Sequence, residues 1–172
     1  MKHTRKLESP PSPHIDGSYS CVGYRVRMLS RVTSAIYEEA FAPLKLKITQ
    51  FGILVILSSR GPSTVAELCK LTVMDKSTAS RNLLRMRRRG WIASVSEKDG
   101  PGQALTITRE GAEVFRKALP LWRRAQGEAV RRLGADGVDA LDRVLAGMTG
   151  QRTADLDFGP SPHTPSRQSR VR

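Results

Sequence analysis

Two cysteines, Cys21 and Cys69, are all that 172 residues contain. That excludes a disulfide framework and a four-cysteine zinc site. The three histidines, His3, His14 and His163, all fall in the tails. No Ser-His-Asp or Cys-His set can be assembled from the rest, and no cluster of His, Cys or carboxylates has metal-ligand spacing. No glycine-rich phosphate loop follows a strand. Neither an enzyme, nor a metal, nor any other cofactor is therefore expected. Long apolar runs are also missing: none reaches the roughly 18 residues of a membrane span. The opening MKHTRKLESPPSPH has no apolar core, so a secretory signal is not expected. Acidic residues are few, 16 against 29 Lys and Arg, for a formal net charge of +13. The sequence pI is about 10.7. Such a bias points to a polyanionic partner. The expected setting is cytoplasmic and nucleoid-associated, with no membrane partner.

What is present is 39% hydrophobic, enough for a core. Residues 1–18 hold Pro10, Pro11 and Pro13 with few apolar residues and read as a disordered tail; residues 150–172, rich in Pro, Ser and Arg, read as a disordered basic one. Between them the pattern is mainly α, with a small β-hairpin. Val22, Val26, Leu29, Val32, Ile36 and Ala40 recur at helical spacing from about residue 24 to 41, where Pro43 ends the helix. Thr49 is the expected cap of QFGILVILSSRG, a short apolar helix stopped by Gly61 and Pro62. In TVAELCKLT, Thr64 and Glu67 have capping-box spacing, and Ala66, Cys69 and Val65 or Leu68 are expected to face inward. Asp75 caps the next helix and Gly90 ends it. Residues 91–96 and 104–108 read as two strands joined by the turn EKDGPGQ. Thr108 caps a long helix to about Leu133, with a kink or break expected at Pro120. Residues 136–148 form a final amphipathic helix with Val138, Leu141, Val144, Leu145 and Met148.

The stretch DKSTASRNLLRMRRRGW carries most of the chemistry. At a 3.6-residue period, Ala79, Leu83 and Met86 fall in one narrow arc, which is the core face. Ser77, Arg81, Leu84 and Arg88 fall opposite, flanked by Thr78, Ser80 and Arg85. The outward face is thus small and hydroxylic at its N-terminal end and cationic further on. A short helix, a turn, such a helix and then a hairpin match a winged helix-turn-helix, whose second helix lies in the major groove. Ser77, Thr78, Ser80 and Arg81 are the candidates at base edges, where Arg81 has the reach for a bidentate pair with guanine, and Lys76 is a further DNA-binding candidate. Arg85, Arg87, Arg88 and Arg89 lie toward the groove edges, within reach of phosphates. An unspecialised solvated face would explain the charge, but not the capped helix before it and the hairpin after it.

Residues from about 21 to 133 resemble the MarR family of bacterial transcription regulators. RVTSAIYEEAFAPLKLKITQFGILVIL, STVAELCKLTVMDKSTASRNLLRMRRRGW and LTITREGAEVFRKALPLWRRAQGEAVRRLG carry the resemblance, and MDKSTASRNL is its most specific run. It implies a domain over 19–149: a winged helix-turn-helix at about 49–108 and dimerisation helices at about 20–42 and 109–149. It also implies a homodimer that represses genes from a pseudo-palindromic double-stranded operator. In many members a small, often phenolic, ligand or thiol oxidation releases the DNA. A pocket between dimer helices and reading head would draw on Tyr24, Arg27, Arg31, Tyr37, Trp91 or Trp122. Cys21, at the start of the first helix with Arg25 and Arg27 nearby, is the candidate redox thiol, and Cys69 reads as core. The wing departs from the family pattern. Asp99 is followed by Gly100, Pro101, Gly102 and Gln103 instead of arginines, and Lys98 is its one positive charge. The competing readings are a thiol-sensing repressor acting through Cys21 and a winged helix that binds nucleic acid without sequence preference.

Overall fold

The computed structural model describes residues 21–96 and 103–150. The expected tails, together with Lys98, Asp99 and the rest of the wing tip, lie outside the described residues. In chain order the elements are α1 (Val22–Phe41), a 3-10 turn (Ala42–Leu44), α2 (Ile48–Arg60), β1 (Ser63–Thr64), α3 (Val65–Thr72), α4 (Lys76–Arg88), β2 (Ile92–Ser96), β3 (Gln103–Ile107), α5 (Arg109–Leu133) and α6 (Ala135–Thr149). The fold is mainly α with one three-stranded antiparallel sheet, ordered β1-β3-β2.

α2 is the central helix. Phe51, Ile53, Leu54, Val55, Ile56 and Leu57 are all buried, as a helix apolar all round must be. Phe51 meets Phe41 of α1 at 5.0 Å and Phe115 and Trp122 of α5 at 5.7 and 6.2 Å between ring centres. Each such side chain contributes about 1.5–3 kcal/mol by leaving water. Leu68 of α3, Leu83 and Met86 of α4, and Ile92 and Leu105 of the sheet complete the same core. The reading head therefore packs directly on the helices that carry it.

Several expected boundaries shift. α2 begins at Ile48, with Lys47 as its cap instead of Thr49. The buried Gln50 explains the shift, because its Oε1 accepts the Lys47 N–H at 3.2 Å. The hairpin gains a third strand, β1, in which Ser63 pairs with Leu105 and Thr64 with Ala104. Ala66 faces solvent, not the core, and Cys69 is only half-buried; Leu68 alone of α3 is fully buried. α5 runs through Pro120 without a break. Proline there forfeits one backbone bond, but Pro120 itself is exposed while Ala118 is sealed in the core and Leu119, Leu121 and Trp122 pack against it. Packing against the core on both sides outweighs the local defect.

α1 and α6 are the thinly packed elements. Only Phe41 of α1 and no residue of α6 is buried. Their apolar stripes lie open, from Val22 (73% exposed), Val26, Leu29 and Val32 on α1 to Val144, Leu145 and Met148 (82% exposed) on α6.

Candidate nucleic-acid interface

The interface is built from α3, the turn after it, and α4. Thr64 and Glu67 form the expected capping box: Thr64 Oγ1 accepts the Glu67 N–H at 3.2 Å, and Glu67 Oε2 accepts the Thr64 N–H at 2.7 Å. That backbone N–H, with the Thr64 hydroxyl, holds the Glu67 carboxyl below its usual range. α3 ends at Val73, whose φ of 53° is left-handed. A β-branched residue rarely adopts that conformation. The turn is tight enough to need it, and Met74 N–H closes it on Cys69 O at 3.1 Å.

Asp75 then caps α4. Its Oδ1 accepts the Ser77 hydroxyl at 2.6 Å and the Thr78 N–H at 2.8 Å, which together hold the carboxyl well below the ordinary carboxylate range. Arg81 folds back along the same face, its Nη2 donating to Ser77 Oγ at 3.4 Å and to Thr78 Oγ1 at 3.3 Å. Asp75, Ser77, Thr78 and Arg81 thus form one hydrogen-bonded cluster on the exposed first turns. Ala79, Leu83 and Met86 are buried as the periodicity requires, and Asn82 joins them by donating from Nδ2 to Thr78 O at 3.1 Å. Lys76, Ser80, Arg85 and Arg88 are exposed, and Thr78 is half-buried. Leu84 is exposed among the arginines.

The far end of α4 is closed by Gly90, at φ 69°. Gly90 N–H bonds Arg87 O at 2.8 Å and Trp91 N–H bonds Met86 O at 3.0 Å, the paired bonds of a Schellman stop. Two of the terminal arginines turn inward. Arg87 donates to Ser94 of β2. Arg89 lies over the Trp91 ring, 4.7 Å from its centre, and donates from Nη1 to Lys45 O at 2.6 Å. Sequence periodicity gave no signal for either contact, since it places side chains on faces and not on partners.

The other candidate residues are dispersed. Tyr24, Arg27 and Arg31 lie on the exposed half of α1. Tyr37 is half-buried at the seam with α5, where its hydroxyl donates to Gln126 Oε1 at 2.5 Å and burial pushes its pKa up. Trp122 stacks on Phe51, while Trp91 is buried beneath Arg89. Cys21 is exposed at the N-cap of α1, where its side chain makes no capping bond. No group of three His, Cys, Asp or Glu among the described residues is placed to hold a metal. No single helix there is long and apolar enough to cross a membrane.

A capped short helix, a strained turn, an exposed cationic helix and a β-hairpin sheet define a winged helix-turn-helix protein of the DNA-binding type. The model of the MarR family matches residues 44–100. The chain is 27% identical over 128 residues to the multiple antibiotic resistance protein MarR of Salmonella typhimurium, covering 72% of this chain and 88% of that one. Among solved structures, the Mycobacterium tuberculosis transcriptional regulator MOSR in complex with DNA superposes with a TM-score of 0.66 at 28% identity, over 81% of this chain and 100% of that one. BpsR of Bordetella bronchiseptica, whose DNA binding is regulated by 6-hydroxynicotinic acid, superposes with a TM-score of 0.68 at 21% identity, over 78% and 99%. These likenesses support a transcriptional regulator of the MarR type.

Proposed function

We propose that the chain is a dimeric repressor that seats α4 of each subunit in successive major grooves of a pseudo-palindromic operator and is released by a small aromatic ligand. The observation that carries this reading is the exposed face of α4. Asp75, Ser77 and Thr78 hold Arg81 beside the helix start, where base edges are read, and Arg85 and Arg88 continue the face toward the phosphates. Lys76 and Ser80 complete its N-terminal end, and Lys98 of the wing adds a further cation. Small hydroxyl residues allow a close approach, and a net charge of +13 supplies the sequence-independent attraction.

The open apolar stripes of α1 and α6 support the dimer, because contiguous exposed apolar surface marks an interface. A second subunit laid on them brings its own α1 beside Tyr24, Arg27 and Arg31. Guanidinium groups beside aromatic rings suit a small aromatic acid, through a charge-assisted bond. Such a ligand releases DNA by preferring a spacing of reading heads that does not fit the operator. A bound dimer represses by occluding its own operator.

The test is selection of duplexes from a random pool by the purified protein. The expected product has two half-sites about one helical turn, roughly 10 base pairs, apart. The expected mass in solution is twice the 19.0 kDa chain. A monomer that protects a palindrome, or a protein that retains every duplex equally, would overturn the reading and favour the sequence-indifferent alternative.

A further inference from the structure

The C-terminal arginines of α4 do not share one fate. Arg89 is the C-cap residue of α4, and its side chain points away from the groove-facing cluster. Its guanidinium covers the Trp91 ring and donates to the carbonyl of Lys45, 44 positions earlier in the chain. Trp91 is itself fixed: its N–H ends α4 on Met86 O, its O accepts the Thr108 N–H at the start of α5, and its ring is in the core. Lys45 is fixed as well. It closes the 3-10 turn in a left-handed conformation, with φ 48° and its N–H on Ala42 O at 3.0 Å, and the next residue, Leu46, is buried. That turn is the elbow between α1 and α2. One planar side chain therefore joins the end of the reading helix, the residue that leads into β2 and the elbow of the helix that carries the open apolar stripe. Arg88, its chain neighbour, makes no such tie among the described residues.

We infer that Arg89 is a positioning residue, a strut that sets the angle of α4 against the α1–α2 elbow and thereby the distance between the two reading heads, and that it does not serve a DNA phosphate. The role rests on the dimeric operator-binding reading. Guanidinium suits the post because it stacks flat on an aromatic face while its edge donates, a combination an ammonium cannot reproduce. In a two-fold dimer any change in that angle is applied twice, so it registers as a change in preferred half-site spacing.

The test compares Arg89→Ala, Arg89→Lys and Arg88→Ala in the full chain. Without DNA, hydrogen exchange at the amides of Lys45 and Leu46 should rise about tenfold in both Arg89 variants and stay at the wild-type rate in Arg88→Ala. Unchanged exchange in Arg89→Ala would overturn the strut outright. With the duplex selected by the wild type, operators are then lengthened or shortened by one base pair between half-sites. Arg89→Ala should lose about fivefold of the wild-type preference for the native spacing, with the salt dependence of binding unchanged. Arg88→Ala should keep the preference and bind with a salt slope shallower by about one unit per lost contact in each subunit. A shallower slope in Arg89→Ala, restored by Arg89→Lys, identifies a phosphate contact and refutes the proposal. If the wild type selects no duplex, the DNA reading falls while the exchange experiment still decides the joint.

Discussion

Gly111 is the position where one added methyl group should do the most damage. It lies in the first turn of α5, where its N–H is capped by Thr108 Oγ1 at 3.0 Å. A Cβ there would stand 2.0 Å from Trp91 O and 2.9 Å from Ile107 Cγ1, where ordinary contact begins at 3.4 Å. The nearest neighbour is backbone, and it is pinned, since Trp91 O accepts the Thr108 N–H at 3.0 Å. No rotamer change relieves the clash, so α5 must back away from the hairpin by more than an ångström. Overpacking costs about 1–3 kcal/mol, and a rigid neighbour puts this case at the upper end. Alanine regains about 1 kcal/mol over glycine in a helix, so Gly111→Ala should lose roughly 2 kcal/mol net. For a chain of this size that lowers Tm by about 4–8 °C. The measurement is thermal and urea unfolding followed by circular dichroism, at equal protein concentration because a dimer's stability depends on it. Gly52→Ala is the control. It is also helical, but a Cβ there meets nothing within 4 Å. It should be neutral or stabilise by up to about 1 kcal/mol. If Gly111→Ala proved as stable as Gly52→Ala, the close approach of α5 to Trp91 would not exist in solution.

Arg81→Ala should cost about 1–3 kcal/mol on the selected operator and relax base preference at one position per half-site; equal weakening on random DNA would remove Arg81 from base reading. Lys98→Ala, in a wing without the family's arginines, should be the milder of the two, and complete loss of operator binding would show the wing to be essential. The Asp75 carboxyl, held low first by the Ser77 hydroxyl and then by the Thr78 N–H, titrates lower folded than unfolded. Its contribution is therefore present above the unfolded value of about 3.9 and is lost as pH falls from there toward the folded one. The gap in urea midpoint between wild type and Asp75→Asn should be steady from neutral pH to about 5 and narrow below about 4; a gap that widens on acidification contradicts the assignment. Wild type and Cys21→Ser should hold the operator equally well in mild peroxide, because Cys21 has no resolving partner nearby in sequence and Cys69 is half-buried in α3. Release of the wild type alone would install thiol oxidation as the switch.

The sequence by itself determined whatever is settled within about one helical turn. Thr64 with Glu67, Asp75 with Thr78, Gly90 and Thr108 each act on a neighbour no more than four residues away, so the starts of α3, α4 and α5 and the end of α4 could be read directly. The core face of α4 was legible for the same reason, since Ala79, Leu83 and Met86 repeat at the helical period. Tertiary structure alone decided the rest. β1 is two residues long, too short to alternate, and exists because Ala104 and Leu105 arrive to pair with Thr64 and Ser63 from far along the chain. The start of α2 was set by Gln50 turning back to cap it from within the core, and α5 tolerates Pro120 because Ala118 is buried and Leu119, Leu121 and Trp122 pack against the core. The direction of Arg89 belongs here too. Charge and periodicity place it on a cationic helix end, but only the packing of Trp91 and the elbow at Lys45 give its guanidinium somewhere to go. Contacts between residues distant in the chain leave no periodic trace, because nothing in local geometry requires them until the core has formed.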